Sequence, residues 1–321
     1  MIWAGVDRLI DSTSDLSALR EHRVHLLAAN RWRRLGKEVP LELEQAERLS
    51  MLVTVIVPKL LARVRNACDG PLVLHKGPEL ARRYPDPTLR PYTDLDLLVP
   101  DAARTQRELV ASGFVEVGDP DYFAASPHAL PLEWPGLPLL VEIHHSLNWP
   151  RWGDPPPFEE LLEAAVPGPL SIEVDGMLTL PPEQHALVVA AHTWAHGPMT
   201  RLRDLIDVAL LAGAAQRTDI AKLARSWGIE RLWETTSRTA DALFLGEEAP
   251  LALRLWARNL AAVRVSSLLA DGSQRIGKPI PSINSFTPTA HWRVARRVAV
   301  GKTAPCDLGM ATSGITPIIF A

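Results

Sequence analysis

Arg90-Pro-Tyr-Thr-Asp94-Leu-Asp96-Leu-Leu-Val99, closed by Pro100, is the stretch on which the fold turns. Polar and apolar residues alternate at its start, which predicts a strand that Pro100 ends. On a strand, side chains two apart share a face. Asp94 and Asp96 therefore point one way, while Leu95 and Leu97 point the other. Two carboxylates about 7 Å apart, from a rise of ~3.3 Å per residue, repel each other unless a cation sits between them. Mg²⁺ suits that place, because it takes oxygen ligands and shares them with substrate phosphates.

A second strand is expected over Leu137 to Leu147, with Glu142 and His144 on one face. An acidic residue inside an apolar strand is costly if buried and unpaired. Either a metal shared with the aspartates or an arginine, Arg90 or Arg203, gives Glu142 a partner. Upstream, Pro71-Leu-Val-Leu-His75 reads as a short strand, Lys76-Gly77-Pro78 as a tight turn, and Glu79 to Tyr84 as a helix. Gly77 permits close backbone approach and Pro78 suits a first helical position. Free amides at that helix start, with Lys76 beside them, would take phosphate oxygens. Lys76 is one of only six lysines among 34 basic residues, so it carries more information than a lysine usually does.

Working outward, residues 1–69 read as helical, with Leu49, Leu52, Val53, Ile56, Leu60, Leu61 and Val64 on one apolar face and Pro58 as a kink or break. Asp101 to Ser112 is a helix with Asp101 as N-cap, and Phe114 to Val117 is a strand. Leu170 to Leu180 reads as a hairpin around Asp175-Gly176. Helices are expected over Glu183–His196, Thr200–Ala214, Ile220–Trp227, Leu232–Phe244 and Leu251–Leu269. The fold class is thus α+β: a small mixed sheet in 70–180, flanked by N-terminal helices (1–69) and a C-terminal helical domain (181–301), with a tail at 302–321.

The chain has 321 residues, 34 basic and 37 acidic, and a net charge of −3. That balance excludes a disordered polyelectrolyte and a general nucleic-acid binder. Charge is unevenly spread, however: nine basic residues and one acid occupy 251–302, a local balance of +8. Cys68 and Cys306 provide neither a disulfide framework nor a cysteine zinc site. A reducing, cytoplasmic setting is expected, with no signal peptide and no membrane span.

Five of the ten histidines, His144, His145, His185, His192 and His196, fall close together in sequence. His192 and His196 have zinc-ligand spacing, but the acidic general base of a His-Glu-x-x-His motif is missing between them. Arg203 and Asp207, four apart, are expected to pair on a helix surface.

Leu74-His75-Lys76-Gly77, Arg90 to Val99 and Val141-Glu142-Ile143-His144 together resemble an uncharacterised bacterial nucleotidyltransferase family of the polymerase-beta-like superfamily. His192 and Arg201-Leu202-Arg203 with Asp207 match its later segments, so the resemblance covers about 70–215. It implies that Asp94, Asp96 and Glu142 are catalytic and bind Mg²⁺ or Mn²⁺. It implies nucleotide contacts at Lys76, Gly77, Arg90, His144, His192 and Arg203. The reaction it implies moves a nucleoside monophosphate from an NTP to a hydroxyl or similar acceptor on a small molecule or peptide, releasing pyrophosphate. A noncatalytic nucleotide- or partner-binding relative, and an RNA-end nucleotidyltransferase using 251–302, are the alternatives. Lys76-Gly77 stands where the wider superfamily has Gly-Ser or Gly-Gly, and Glu142 where it has Asp.

Overall fold

The computed structural model describes residues 2–123, 128–197 and 200–249. The basic segment 251–302, the helix expected over Leu251–Leu269, Cys306 and the tail lie outside the described residues. Four helices open the chain: α1 (Trp3–Asp11), α2 (Leu16–Glu21), α3 (His25–Arg34) and α4 (Leu41–Ala67). The mixed region follows as β1 (Leu72–Leu74), α5 (Pro78–Ala81), β2 (Asp94–Leu98), α6 (Ala102–Ala111), β3 (Val115–Glu116), α7 (Pro120–Phe123), β4 (Leu132–Glu133), β5 (Leu140–His144), α8 (Phe158–Glu163), β6 (Val166–Pro167) and β7 (Met177–Thr179). Four helices close it: α9 (Pro182–His196), α10 (Leu202–Gly213), α11 (Arg217–Ser226) and α12 (Glu230–Leu245). Among the described residues no helix is long and apolar enough to cross a membrane.

The strands form one mixed sheet in the order β3-β4-β5-β2-β1-β7-β6. At its centre β2 runs parallel to β5, with Asp96 opposite Glu142 and Leu98 opposite His144. On its other side β2 is antiparallel to β1, with Leu74 opposite Leu97. Period-two alternation then sorts the faces. Leu95 and Leu97 join α4 in one buried cluster, while Leu98 and Val73 join α9 to α12 in another. Asp94 and Asp96, in phase with Leu98, are therefore aimed at the α9–α10 side.

The first helices do not stand apart from the last. Val6 and Ile10 of α1, Leu27 of α3, Ile206 of α10 and Phe244 of α12 share one core. A Cβ on Gly5 would sit 2.0 Å from the Phe244 carbonyl oxygen, so glycine is what lets α1 and α12 touch. Helices α1 to α3 thus share a helical layer with α10 and α12.

Three expectations are corrected. Of the kink or break expected at Pro58, the break does not occur, and α4 runs on through it. The missing N–H would have served the Thr54 carbonyl; both residues are half-exposed, so solvent can serve it instead, and buried Val57, Leu60 and Leu61 hold the helix on the sheet. The buried stripe of α4 is Leu43, Ser50, Val53, Val57, Leu60, Leu61 and Val64, whereas Leu49 and Leu52 are half exposed. Ser50 holds its place in that stripe by donating to the Thr88 carbonyl at 2.6 Å. Finally, Leu170 to Leu180 is not a simple hairpin. Pro169 starts a 3-10 turn (Pro169–Ile172), and β7 pairs antiparallel with β6 instead. The Asp101 cap is present: its carboxylate accepts from the Arg104 N–H at 2.8 Å.

His185 of α9 is wholly buried and bonds the His75 carbonyl through Nε2 at 2.5 Å. Burial, the largest influence, pushes its pKa down to about 3 from the ordinary 6.5. The folded state therefore keeps it neutral while the unfolded chain takes up a proton below pH ~6.5, so stability is complete above that pH and is lost as pH falls towards 3. By linkage this one group removes on the order of 2 kcal/mol at pH 5. Denaturant midpoints at pH 8 and pH 5 should differ less in His185→Gln, which keeps a donor, than in the wild type.

Candidate active site

The β2–β5 register brings acid against acid. Asp96 is almost wholly buried and Glu142 partly so, and a ligand atom from each, with one from His144, lie within 4.8 Å of one another. His144 Nε2 is 3.1 Å from Asp96 Oδ1 and 3.7 Å from Glu142 Oε2. His128, which bridges to His144 through the backbone, brings Nε2 to 3.7 Å from the same Glu142 oxygen.

The turn after β1 supplies the counter-charge. His75 N–H donates to the Asp96 carbonyl, continuing the β1–β2 ladder one residue past the strand. The chain then turns at Gly77, whose φ of +57° favours glycine. A Cβ there would meet the Asp94 carbonyl oxygen at 2.7 Å, so the turn is pressed directly onto the start of β2. Lys76 is thereby delivered to Asp96, Nζ to Oδ1 at 2.5 Å. α5 is a single turn; Pro78 has no N–H and the Glu79 N–H bonds the Lys76 carbonyl. The amide cradle expected there is correspondingly small, and Lys76 is the charged side chain that the turn brings to the cavity.

Gly77 is braced from beneath. Arg90 donates to the Gly77 carbonyl at 3.0 Å and grips Asp207 through two bonds of 2.9 and 2.8 Å. The Tyr84 hydroxyl donates to Asp207 at 2.9 Å, and all three residues are buried. Burial opposes the charge on Arg90, but Asp207 outweighs it and the guanidinium pKa rises. Arg90 thus lines the cavity as a positioning residue rather than a free cation. Arg203 and Asp207, expected as a surface pair, are both buried and bond elsewhere: Arg203 takes Asp204 at 3.1 Å and the Pro91 carbonyl at 3.2 Å.

These groups line a cavity of about 630 Å³ that also holds Arg23, Tyr92, Asp94, Asn148, His192, His196, Arg201 and Asp204. Burial raises the Asp94 carboxyl, helped by the Asp96 charge and opposed by Lys76. Burial also works to raise Asp96, but Lys76 and the hydrogen bond from His144 win and hold it well below the usual range. His144 moves the other way: burial lowers it, its bonds to Asp96 and Glu142 outweigh that, and it rises. His192 is kept neutral by burial. A second cavity of about 620 Å³ lies among α1, α10 and α12, but its charged pair Arg217–Asp241 is already closed at 2.6 Å, and the carboxylate–histidine group is elsewhere.

The donor set fits a divalent cation. Two carboxylates and an imidazole lie within mutual ligand reach, and Asp94, whose pKa is raised by burial and by the Asp96 charge, lines the same wall. Asp94, Asp96, Glu142, Lys76, Gly77, Arg90, His144, His192 and Arg203 all line this one cavity. Arg23, His128, Asn148 and Asp204 were not singled out from the sequence; only Arg201 carried a hint, through its place in Arg201-Leu202-Arg203.

A protein-family model described as an uncharacterised nucleotidyltransferase matches residues 10–245. The match extends beyond the 70–215 stretch that carries the motifs, into the helices that share the α1–α12 core. Comparison with curated proteins and comparison with solved structures give no match.

Proposed function

Because the chain belongs to this uncharacterised nucleotidyltransferase family, we propose that it is a metal-dependent enzyme moving a nucleoside monophosphate from an NTP to a hydroxyl or similar group on a small molecule or peptide. The observation that carries the reading is the largely buried Asp96–Glu142–His144 group facing Lys76 in one cavity. Placement in the polymerase-beta-like superfamily belongs to the same proposal. Mg²⁺ or Mn²⁺ held by Asp96 and Glu142, with His144 rather than the expected Asp94 in mutual ligand reach and Asp94 on the same wall, would supply positive charge to the phosphoryl oxygens.

The chain's own groups then have separate tasks. Lys76 faces the phosphates, and Arg90 fixes the Gly77 turn that presents it. His144 holds Asp96 and Glu142 in register. His192, partly buried and kept neutral, forms a wall that would admit nucleotide without adding charge. The acceptor oxygen attacks the α-phosphorus in line, and the bond to the bridging β-oxygen breaks. Pyrophosphate leaves with that electron pair, and the acceptor proton passes to Glu142. Little covalent work falls to the protein; positioning and charge stabilisation do most of it.

The test is a screen of the four NTPs with Mg²⁺ or Mn²⁺, reading pyrophosphate release and the mass of modified acceptors. Metal-dependent release in the wild type, removed by chelation, is the expected result. Nucleotide binding without release under any pairing of metal, NTP and acceptor would point instead to a noncatalytic binder.

A further inference from the structure

The cavity holds more positive charge than the motifs explain. Arg23, in the turn between α2 and α3, meets Arg201 and Arg203 from the start of α10 on one wall. Burial, then the charges of Arg203 and Arg201, bring the Arg23 pKa down to about 10, and the nearby Asp204 and Asp94 carboxylates offset part of that. Arg203 is anchored by Asp204 and the Pro91 carbonyl. Among the described residues, the side chains of Arg23 and Arg201 make no hydrogen bond and no ion pair.

Arg203 has structural partners in Asp204 and the Pro91 carbonyl, but Arg23 and Arg201 bring further positive charge that no hydrogen bond or ion pair among the described residues meets. Arg201 is the N-cap of the twelve-residue α10 and Arg203 lies in its first turn. Cations at the positive end of a helix dipole are unfavourable. Arg23 is the one non-glycine residue with positive φ among the described residues, at +55°. A left-handed backbone at a residue other than glycine is strained and persists where its surroundings impose it. Here they do: the His22 carbonyl accepts from the Arg203 N–H at 3.2 Å, and His22 Nδ1 accepts from the Leu202 N–H at 3.2 Å. Those bonds fasten the turn to α10 and hold Arg23 against its two like charges. A glycine would be easier there, and an anion would resolve the repulsion.

The position of the wall says which anion. Arg23 and Arg203 both act electrostatically on Asp94, while Lys76 pairs with Asp96 further along β2. The reacting phosphoryl is placed by the Asp96–Glu142 group, so a second cationic zone on the Asp94 side lies where a polyphosphate tail would extend. We propose that Arg23 and Arg201, with Arg203, form a clamp for the β- and γ-phosphates of the NTP and for the departing pyrophosphate. The clamp rests on the nucleotidyl-transfer reading for its substrate. Guanidiniums suit it because they bind phosphate oxygens in pairs.

The experiment is calorimetric titration of the full chain with inorganic tripolyphosphate and with a nucleoside monophosphate, for the wild type, Arg23→Gly, Arg201→Gln and the double variant. Tripolyphosphate should bind the wild type, weaken about 10-fold or more with each substitution, and lose its steepest salt dependence in the double variant. Nucleoside monophosphate affinity should stay within about 3-fold of wild type. Arg23→Gly should melt no lower than wild type, since it relieves the left-handed backbone; Arg201→Gln, on a half-exposed residue, provides a second variant whose folding is not at issue. Unchanged tripolyphosphate affinity in both variants overturns the clamp, as does a wild type that does not bind tripolyphosphate. The pyrophosphate-release assay separates the two proposals. Transfer activity with the same KM for NTP in both variants sinks the clamp and leaves the transferase; arginine-dependent tripolyphosphate binding without any transfer supports the clamp and sinks the transferase.

Discussion

Asp96→Asn should reduce nucleotidyl transfer by at least about 100-fold, the scale of loss when one preorganised charge-stabilising group is removed. The substitution keeps the shape and removes the charge. Asp96 is almost wholly buried and is the one carboxylate touched by both Lys76 and His144. Neutralising it leaves Lys76 without its partner and removes the charge of one proposed metal ligand at once. Lys76 keeps some exposure, so solvent absorbs part of the cost and the variant should still fold, about 1–3 kcal/mol less stable. Metal affinity, read by Mn²⁺ titration, should fall with activity. Glu142→Gln should lose transfer in the same assay while leaving the Lys76–Asp96 pair intact. An Asp96→Asn protein that turns over NTP at near wild-type rate would remove the basis of the proposed chemistry.

Asp207→Ala should be the most damaging single change to the fold. It strands the Arg90 guanidinium in a buried site and frees the Tyr84 hydroxyl as well. Breaking a buried pair by removing one partner costs roughly 3–5 kcal/mol. At about 2–4 °C per kcal/mol for a chain of this size, the melting temperature should drop on the order of 10 °C. Replacing the whole unit by Arg90→Met, Asp207→Leu and Tyr84→Phe should restore much of that, because a packed apolar patch can stand in for a buried pair. It should not restore transfer, since the Gly77 carbonyl still lacks its Arg90 donor. Recovery of both stability and activity in the triple variant would show that Arg90 has no part in shaping the Lys76 turn.

What could be read from the sequence follows from the range of each signal. Period two put Asp94 with Asp96 and Glu142 with His144, and the Lys76-Gly77-Pro78 turn announced itself through its punctuating residues. Those are local patterns, and the β2–β5 and β1–β2 registers carry them into three dimensions. The Arg90–Asp207 pair spans 117 positions, and neither residue looks unusual where it stands, so Arg203 was the natural guess for the partner of Asp207. Arg23 sits in a short interhelical turn with no local pattern at all. Pro58 and the Leu170–Leu180 stretch misled for the opposite reason. Their local preferences were strong, and tertiary packing on the sheet overrode or redirected them.

The sheet order also bears on how the molecule comes to be. Asp96 and His144 are 48 positions apart, and Arg90 and Asp207 more than twice as far. Closing such loops costs entropy that rises slowly with length, about 0.6 kcal/mol for each doubling, and it must be met before the contacts form. At the Asp96–Glu142 crossing, the first thing a closing chain meets is repulsion between carboxylates. Helices α4 and α9 to α12 rest largely on nearer contacts and are the natural early structure. The acidic crossing should then form late in assembly. Refolding followed by circular dichroism should run ahead of the return of metal binding, and a divalent ion, with affinity only for the finished site, would act as a late trap that pulls the chain into its native state.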